Sequence, residues 1–330
     1  MQTKFFLFFL LIGCTDSSQK DTPEDSDHQT SDTSEPSDTN DSADATDSSD
    51  TADSSDTGQQ SDDLNTTVCE RWNEARSDLS EGTWSGNSSQ CEAGDISTQG
   101  RENALQLVNF YRWLSNLSAV STNPTKDAAA QACALIMHAN STLTHYPEST
   151  MACYTQAGSD AAGSSNLAPT PGVYAVDLYM ADMGNETTLG HRRWILSNWL
   201  GDIGLGSTDA YSCMHVIGGN GNGTQEWTAF PPPGPVPFEM FSASWQTLDQ
   251  TGWSVQSDVI NLTNATVVVT RDDGVQLPMA VRSLAQYYGS SHAISMIPEN
   301  WSTEAGREYT VTISGISTPI EYTVSPVTCQ

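Results

Sequence analysis

The chain has 330 residues and a formal net charge of −29 at pH 7, and its length allows two ordinary domains. The charge is uneven, because residues 15–66 hold 16 acidic residues and one lysine. Binding of nucleic acid needs clustered lysine and arginine, so this composition argues against a nucleic-acid partner. After the N-terminal segment, no apolar run reaches the ~20 residues that a transmembrane helix needs.

Residues 1–13 have the pattern of a secretory signal, with Lys4 ahead of an unbroken apolar run over residues 5–12. The sequence LIGC at 11–14 resembles a bacterial lipobox, in which Cys14 becomes a lipid-carrying N-terminus. Two or more acyl chains, each contributing ~0.8 kcal/mol per buried CH₂, anchor a protein stably. We therefore expect an exported protein held to the membrane through Cys14. By resemblance to enteric lipoproteins, Thr15 rather than aspartate after this cysteine implies the outer membrane or cell surface. An ordinary signal peptide is the alternative.

The acidic segment at 14–66 is predicted to be a disordered tether. An acidic residue recurs at every third position from Asp32 to Asp56, with mostly Ser, Thr and Ala between. Such a segment has almost nothing to bury and repels itself, so it stays extended. A calcium-binding repeat is the alternative, but the glycines of such repeats are absent. Residues 67–100 are predicted to form a disulfide-containing extension.

Six cysteines remain after Cys14, and an even number in an exported chain predicts three disulfides. Fifteen pairings are possible. The sequence has no Cys-x-x-Cys pair, which would have indicated a zinc site instead. Proximity in the sequence favours the pairing Cys69–Cys91, Cys133–Cys153 and Cys213–Cys329.

Apolar periodicity predicts three helices and two strands in the middle of the chain. The first helix begins after Ser97, the second covers residues 127–139, and the third covers 174–183. Strands are expected near 203–205 and 213–217.

Several segments in this region occur in a characteristic order. They are VNFYR at 108–112, AQA at 130–132 leading to LTH at 143–145, NLA at 166–168, AVDLYM at 175–180, GHRRWIL at 190–196 and IGLG at 203–206. Together they resemble bacterial members of the CAP superfamily, which includes cysteine-rich secretory proteins, antigen 5 and pathogenesis-related proteins. The resemblance implies a CAP domain at 101–232 with an α-β-α sandwich fold.

The same resemblance implies that His145 and His191 face a common cleft. Two neutral imidazoles suit zinc or a similar divalent cation. Ser165 stands where the family has a glutamate, and Arg192 is expected to pair with a carboxylate in the cleft wall. Without a metal, the histidines would be hydrogen-bonded cleft residues. Four nearby acids could replace the missing glutamate: Asp160, Asp177, Asp182 and Glu186.

Ser165 beside two histidines also raises the possibility of a nucleophile. However, the sequence has no Gly-x-Ser-x-Gly elbow and indicates no acid to orient a histidine. We therefore expect a non-enzymatic module that binds an unknown protein, lipid or small molecule. The alternative is a metal-dependent or serine hydrolase that uses the same cleft.

The segment FPPPGPVP at 230–237 cannot form a helix or a central strand, and it predicts a boundary. Beyond it, four short β-branched runs alternate with turns. These predict a small immunoglobulin-like or fibronectin III-like β-sandwich at 233–330, with Trp245 and Trp253 in its core. The expected fold class is therefore α+β. The four runs are residues 264–270, 293–297, 309–313 and 320–324.

Overall fold

The computed structural model describes residues 56–241 and 247–329. The signal segment, Cys14, the acidic residues up to 55 and Trp245 lie outside the described residues. Within the described ranges the chain mixes helices with three separate sheets, so the expected α+β class is confirmed.

The α-helices are α1 Asp56–Ala75, α2 Thr98–Leu114, α3 Pro124–Asn140, α4 Gln156–Ala162, α5 Gly172–Ala181, α6 Gly190–Ile195 and α7 Leu248–Thr251. Short 3₁₀ helices cover Ser88–Gln90 and Phe238–Phe241. The strands are β1 Ser165–Ala168, β2 Gly204–Ser207, β3 Ser212–His215, β4 Thr228–Phe230, β5 Gly234–Pro237, β6 Trp253–Ser257, β7 Thr266–Arg271, β8 Gln276–Leu277, β9 Met279–Ser283, β10 His292–Pro298, β11 Tyr309–Ser314 and β12 Ile320–Val327.

Capping residues determine where the predicted helices begin. The side chain of Ser97 accepts a hydrogen bond from the Gly100 N–H, so α2 starts where the sequence predicts. Helix α3 starts three residues before the predicted position. Asn123 caps it and Pro124 occupies its first turn, where a missing N–H costs nothing.

The first sheet, with strand order β1-β3-β2, lies between two helical layers. Leu167 of β1 and Cys213 of β3 pack with α3 and α4 on one face. The next residues along these strands, Ala168 and Met214, join the cluster that contains α2 and α5 on the other face. This alternation follows from the two-residue period of a strand, and it makes both faces of the sheet apolar.

The C-terminal region contains two further sheets, with strand orders β4-β6-β10-β9 and β5-β12-β11-β7-β8. All four β-branched runs predicted from the sequence form strands. Trp253 is fully buried, as predicted, and its ring meets the Tyr309 ring edge-on at 6.0 Å. Residues from both sheets belong to one apolar cluster. The immunoglobulin or fibronectin III type stays a prediction.

The proline-rich segment connects two strands of this region. Strand β4 ends at Phe230, and β5 pairs in parallel with β12 at the edge of its sheet. Proline has no N–H to donate, which restricts it to such edge positions. Because β4 pairs with β6, the C-terminal sheets include residues before the boundary predicted at 232/233. One apolar cluster also joins Ile195 of α6 to Val311 of β11.

Helix α1 covers part of the segment that the sequence predicts to be a disordered tether. The prediction extends disorder to residue 66, whereas the helix begins at Asp56. Its C-terminal half packs on the fold, because Val68 and Ala75 are buried and Trp72 meets the Phe110 ring at 5.6 Å. Tertiary packing of this kind stabilises helices that local composition does not favour.

The structure confirms three disulfides but corrects their pairing. The bonds predicted from sequence proximity are not formed, because each cysteine meets a partner on an element that is distant in the sequence. One bond joins α1 to the C-terminus, one joins the 88–91 turn to the loop before α4, and one joins α3 to β3. The pairs are Cys69–Cys329, Cys91–Cys153 and Cys133–Cys213, separated by 260, 62 and 80 residues.

Disulfides of this number are typical of chains that fold in an oxidising, extracellular-type compartment. In the part of the chain that the structure describes, no helix combines the length and apolarity needed to cross a bilayer.

Candidate functional site

A cleft of about 180 Å³ lies between the layers around the sheet β1-β3-β2 and the loop that joins β9 to β10. The start of α6, strand β1, the segment after α3 and the loop 184–189 all contribute to it. The structure brings together three of the residues singled out in the sequence, His145, His191 and Ser165. Other residues that line the cleft are Tyr146, Gly163, Asn166, Asn185, Thr188, Gly190, Trp194, Val216, Ile217, Tyr287 and Tyr288.

His191 is the most strongly positioned of these side chains. It is the second residue of α6, it is 6% exposed, and its Nδ1 lies 2.8 Å from Oδ1 of Asp182. Gly190 precedes it because a Cβ there would approach the ring of Tyr288 to 2.9 Å. A carboxylate only accepts hydrogen bonds, so Nδ1 carries the proton and Nε2 of the neutral ring carries the lone pair.

Asp182 provides an orienting acid for His191, which the sequence did not indicate. It follows the last residue of α5 in a left-handed conformation and has no exposed surface. Its Oδ1 also accepts from Asn185 Nδ2 at 2.8 Å, and its Oδ2 accepts from the Arg192 N–H at 3.3 Å. Three donors thus share the two oxygens of this buried carboxylate, and together they fix the orientation of the imidazole.

None of the four acids considered as replacements for the family's glutamate lines the cleft, and the other three do not contact its histidines either. Asp177 forms an ion pair with Arg76 at 2.8 Å and accepts from the Tyr111 hydroxyl. Asp160 and Glu186 are exposed, and they accept from Gln156 Nε2 and from the Gly184 N–H. Among the four, only Asp182 contacts a histidine of the cleft, and it lies nine residues before His191.

His145 lies in the segment that follows α3, and its Nδ1 is 2.8 Å from the carbonyl oxygen of Ala162. A carbonyl oxygen only accepts, so Nδ1 donates and Nε2 is unprotonated in the neutral ring. Burial lowers the pKa of His145, and the hydrogen bond to the Ala162 carbonyl offsets only part of this shift. Burial therefore favours the uncharged imidazole.

Two further buried side chains in the cleft each have one oxygen that lacks a hydrogen-bond partner within the described ranges. Ser165 is 4% exposed and Asn185 is 3% exposed, and the atoms concerned are Ser165 Oγ and Asn185 Oδ1. Buried polar atoms are satisfied in the great majority of cases. Sequence reasoning missed Asn185, because an isolated asparagine in a loop gives no local signal.

Arg192 is not a cleft residue, which corrects the sequence prediction. It is fully buried and points away from the cleft into the C-terminal sheets. Its guanidinium donates to the carbonyl oxygens of Met180, Ala181 and Gly252, and to the hydroxyls of Thr251 and Ser254. Burial lowers the pKa of Arg192 to about 10, which leaves it charged at neutral pH.

The residues present do not fit a protein-held divalent cation. Each histidine uses Nδ1 as a donor, as metal-binding histidines do. Zinc sites, however, take three or four protein ligands. Across residues 56–241 and 247–329, no group of three or more His, Cys, Asp or Glu side chains is arranged to hold a metal ion.

Comparisons with protein-family models, with curated proteins and with solved structures found no match to this chain. The chemistry of the cleft therefore has to be inferred from its own residues.

Proposed function

We propose that this protein is a lipid-anchored bacterial surface protein with a CAP-type domain at 101–232, and that its cleft binds a small ligand without converting it. The lipobox-like sequence at 11–14 supports the anchor, together with the disulfides. The order of the quoted motifs and the helical layers around the sheet β1-β3-β2 support the domain assignment. Measuring the mass of the mature N-terminus, with Cys14→Ser as control, tests the anchor.

One observation carries the binding function. His191 is held by a fully buried carboxylate, and beside it two buried polar atoms, Ser165 Oγ and Asn185 Oδ1, have no partner in the described chain. Small-molecule sites contain this combination of a preformed cavity and a few fixed polar groups. Side chains that are held rigidly in this way lower the conformational entropy that is lost when a ligand binds.

A serine hydrolase is the second candidate, because Asp182 and His191 form the acid–histidine half of a catalytic triad. The serine does not complete it. No hydrogen bond joins Ser165 Oγ to His191 in the described structure, and Ser165 lies on strand β1 rather than on a sharp strand-to-helix turn. This geometry favours binding over acyl transfer.

The two candidates are separated by assaying the purified full chain against broad ester and peptide libraries. We expect no turnover above that of the His191→Ala and Ser165→Ala variants. His292→Ala serves as control, because His292 lies on β10 and does not line the cleft. Turnover that both cleft variants abolish and the control retains would establish the hydrolase instead.

A further inference from the structure

The charge of the cleft limits the class of ligand that it can take. None of the residues that line it is Asp, Glu, Lys or Arg. The nearest carboxylate, Asp182, has no exposed surface, and its oxygens accept from His191, Asn185 and the Arg192 N–H. A charged ligand would lose its hydration and find no opposite charge in return. The cleft therefore suits a neutral ligand.

Ser165, Asn185 and His191 form the buried floor of the cleft, and their free hydrogen-bonding groups are mostly acceptors. Because Asp182 accepts the Nδ1 proton of His191 and the Nδ2 proton of Asn185, these residues keep His191 Nε2 and Asn185 Oδ1 as acceptors. Ser165 Oγ can both accept and donate. A matching ligand has to present several donors close together, and hydroxyl groups provide them without adding charge.

Aromatic side chains form the rim above this floor. Tyr146 and Tyr287 are 75% and 79% exposed, and the half-buried rings of Trp194 and Tyr288 lie between the rim and the interior. Exposed apolar side chains that lie together mark binding sites, whereas single ones are common on any surface. A ligand ring that packs one face on an aromatic side chain and carries hydroxyl groups at its edge matches this combination of floor and rim.

The backbone at Tyr287 is held in an unfavourable conformation. Its φ is +67°, in the left-handed region that bulky residues rarely adopt. The surrounding loop is fixed by Arg193, which donates to the carbonyl oxygens of Thr188, Ala285 and Ser290. Strain of this kind persists where the surrounding structure enforces it, and it is concentrated at functional positions. Here it places a tyrosine at the rim of the cleft.

We propose that the cleft binds one sugar unit of a neutral glycan, whose hydroxyls donate to Ser165, Asn185 and His191 while its apolar face packs on Tyr287. This inference rests on the proposed binding function and specifies its ligand class. A volume of about 180 Å³ is smaller than the ~300–1,000 Å³ of drug-sized pockets, so one unit enters and the chain continues across the rim.

A quaternary ammonium is the other ligand that aromatic rims recognise. Its ammonium head has no N–H to donate to the unpartnered atoms of Ser165 and Asn185, and no carboxylate lines the cleft to offset its charge. The floor therefore favours the sugar, and an ammonium compound becomes a control ligand.

Calorimetric titration of the full chain with neutral trisaccharides of glucose and of N-acetylglucosamine, and with choline, tests the proposal. We expect at least one trisaccharide to bind and choline not to compete. Tyr287→Ala and Ser165→Ala should each weaken trisaccharide binding about tenfold or more. Tyr174→Ala is the matched control, because Tyr174 is an exposed tyrosine of α5 outside the cleft, and it should leave the affinity unchanged.

Absence of binding by every trisaccharide overturns the sugar proposal, and so does binding that Tyr287→Ala leaves intact. Competition by choline overturns it in favour of an ammonium ligand. Chromatography of the trisaccharide after incubation shows whether the protein cleaves it. This tests the proposed non-enzymatic function separately from the ligand class. Cleavage of the sugar would keep the ligand class and reject the non-enzymatic role, whereas intact sugar supports both.

Discussion

Asp182 determines the chemistry of the cleft although no part of it is exposed. It fixes the tautomer of His191 and lies near two buried guanidinium groups, and its charge raises the otherwise lowered pKa of Arg192 and of Arg193. A single carboxylate thus supports both the floor of the cleft and the packing behind it.

Replacing Asp182 with asparagine should be strongly destabilising. Asparagine tolerates the left-handed backbone at this position, so the change removes the charge and leaves the shape. Uncompensated buried charges cost about 3–5 kcal/mol, and we expect a loss of this size in the free energy of unfolding in urea. Asp177→Asn is the matched control, because that ion pair is partly exposed and should cost about 0–1 kcal/mol. Equal losses in the two variants would contradict this role.

At the scale of elements, helix α6 connects the layers around the sheet β1-β3-β2 to the two C-terminal sheets. Neither of its two arginines lines the cleft, and their guanidinium groups donate to carbonyl oxygens before and after the proline-rich segment. The helix has only six residues and no side-chain cap, so these contacts hold it in place rather than helix propensity.

Arg192→Lys should therefore destabilise the fold although the charge is kept. A lysine ammonium cannot reach both sets of acceptors that the planar guanidinium joins, and it leaves buried carbonyl oxygens unsatisfied. We expect a loss of about 2–4 kcal/mol in unfolding free energy. Arg271→Lys, at a solvent-exposed pair with Asp273, should leave the unfolding free energy nearly unchanged. A similar small effect at Arg192 would show that α6 does not join these layers to the C-terminal sheets.

At the scale of the whole molecule, one disulfide closes nearly all of the described chain. Cys69 of α1 is bonded to Cys329 just after β12, so the first helix and the C-terminus lie side by side.

Removing this bond with Cys69→Ser and Cys329→Ser should cost about 2–5 kcal/mol, because the unfolded chain regains the entropy of a very long loop. Removing Cys91–Cys153, which spans 62 residues, should cost about 1 kcal/mol less. Denaturation of the two double variants measures the difference. Peptide mapping without reduction provides an independent check, and finding Cys69 joined to Cys91 would contradict the fold described here.

The sequence by itself predicted three of the seven α-helices in the described residues, six of their twelve strands and the burial of Trp253, because periodicity of apolar residues depends only on local geometry. It also singled out His145, His191 and Ser165, which the structure places at one cleft. The helical start of α1 at Asp56 was missed, since packing against α2 rather than local composition stabilises that segment.

Only the tertiary structure decided the disulfide partners, the choice of Asp182 among four acids and the direction of Arg192. These pairings join positions that are 9 to 260 residues apart. Spacing in the sequence carries no information about them, because they follow from how the helical layers and the sheets pack. The residues of the cleft can thus be recognised in the sequence, whereas the groups that orient them are set by the fold.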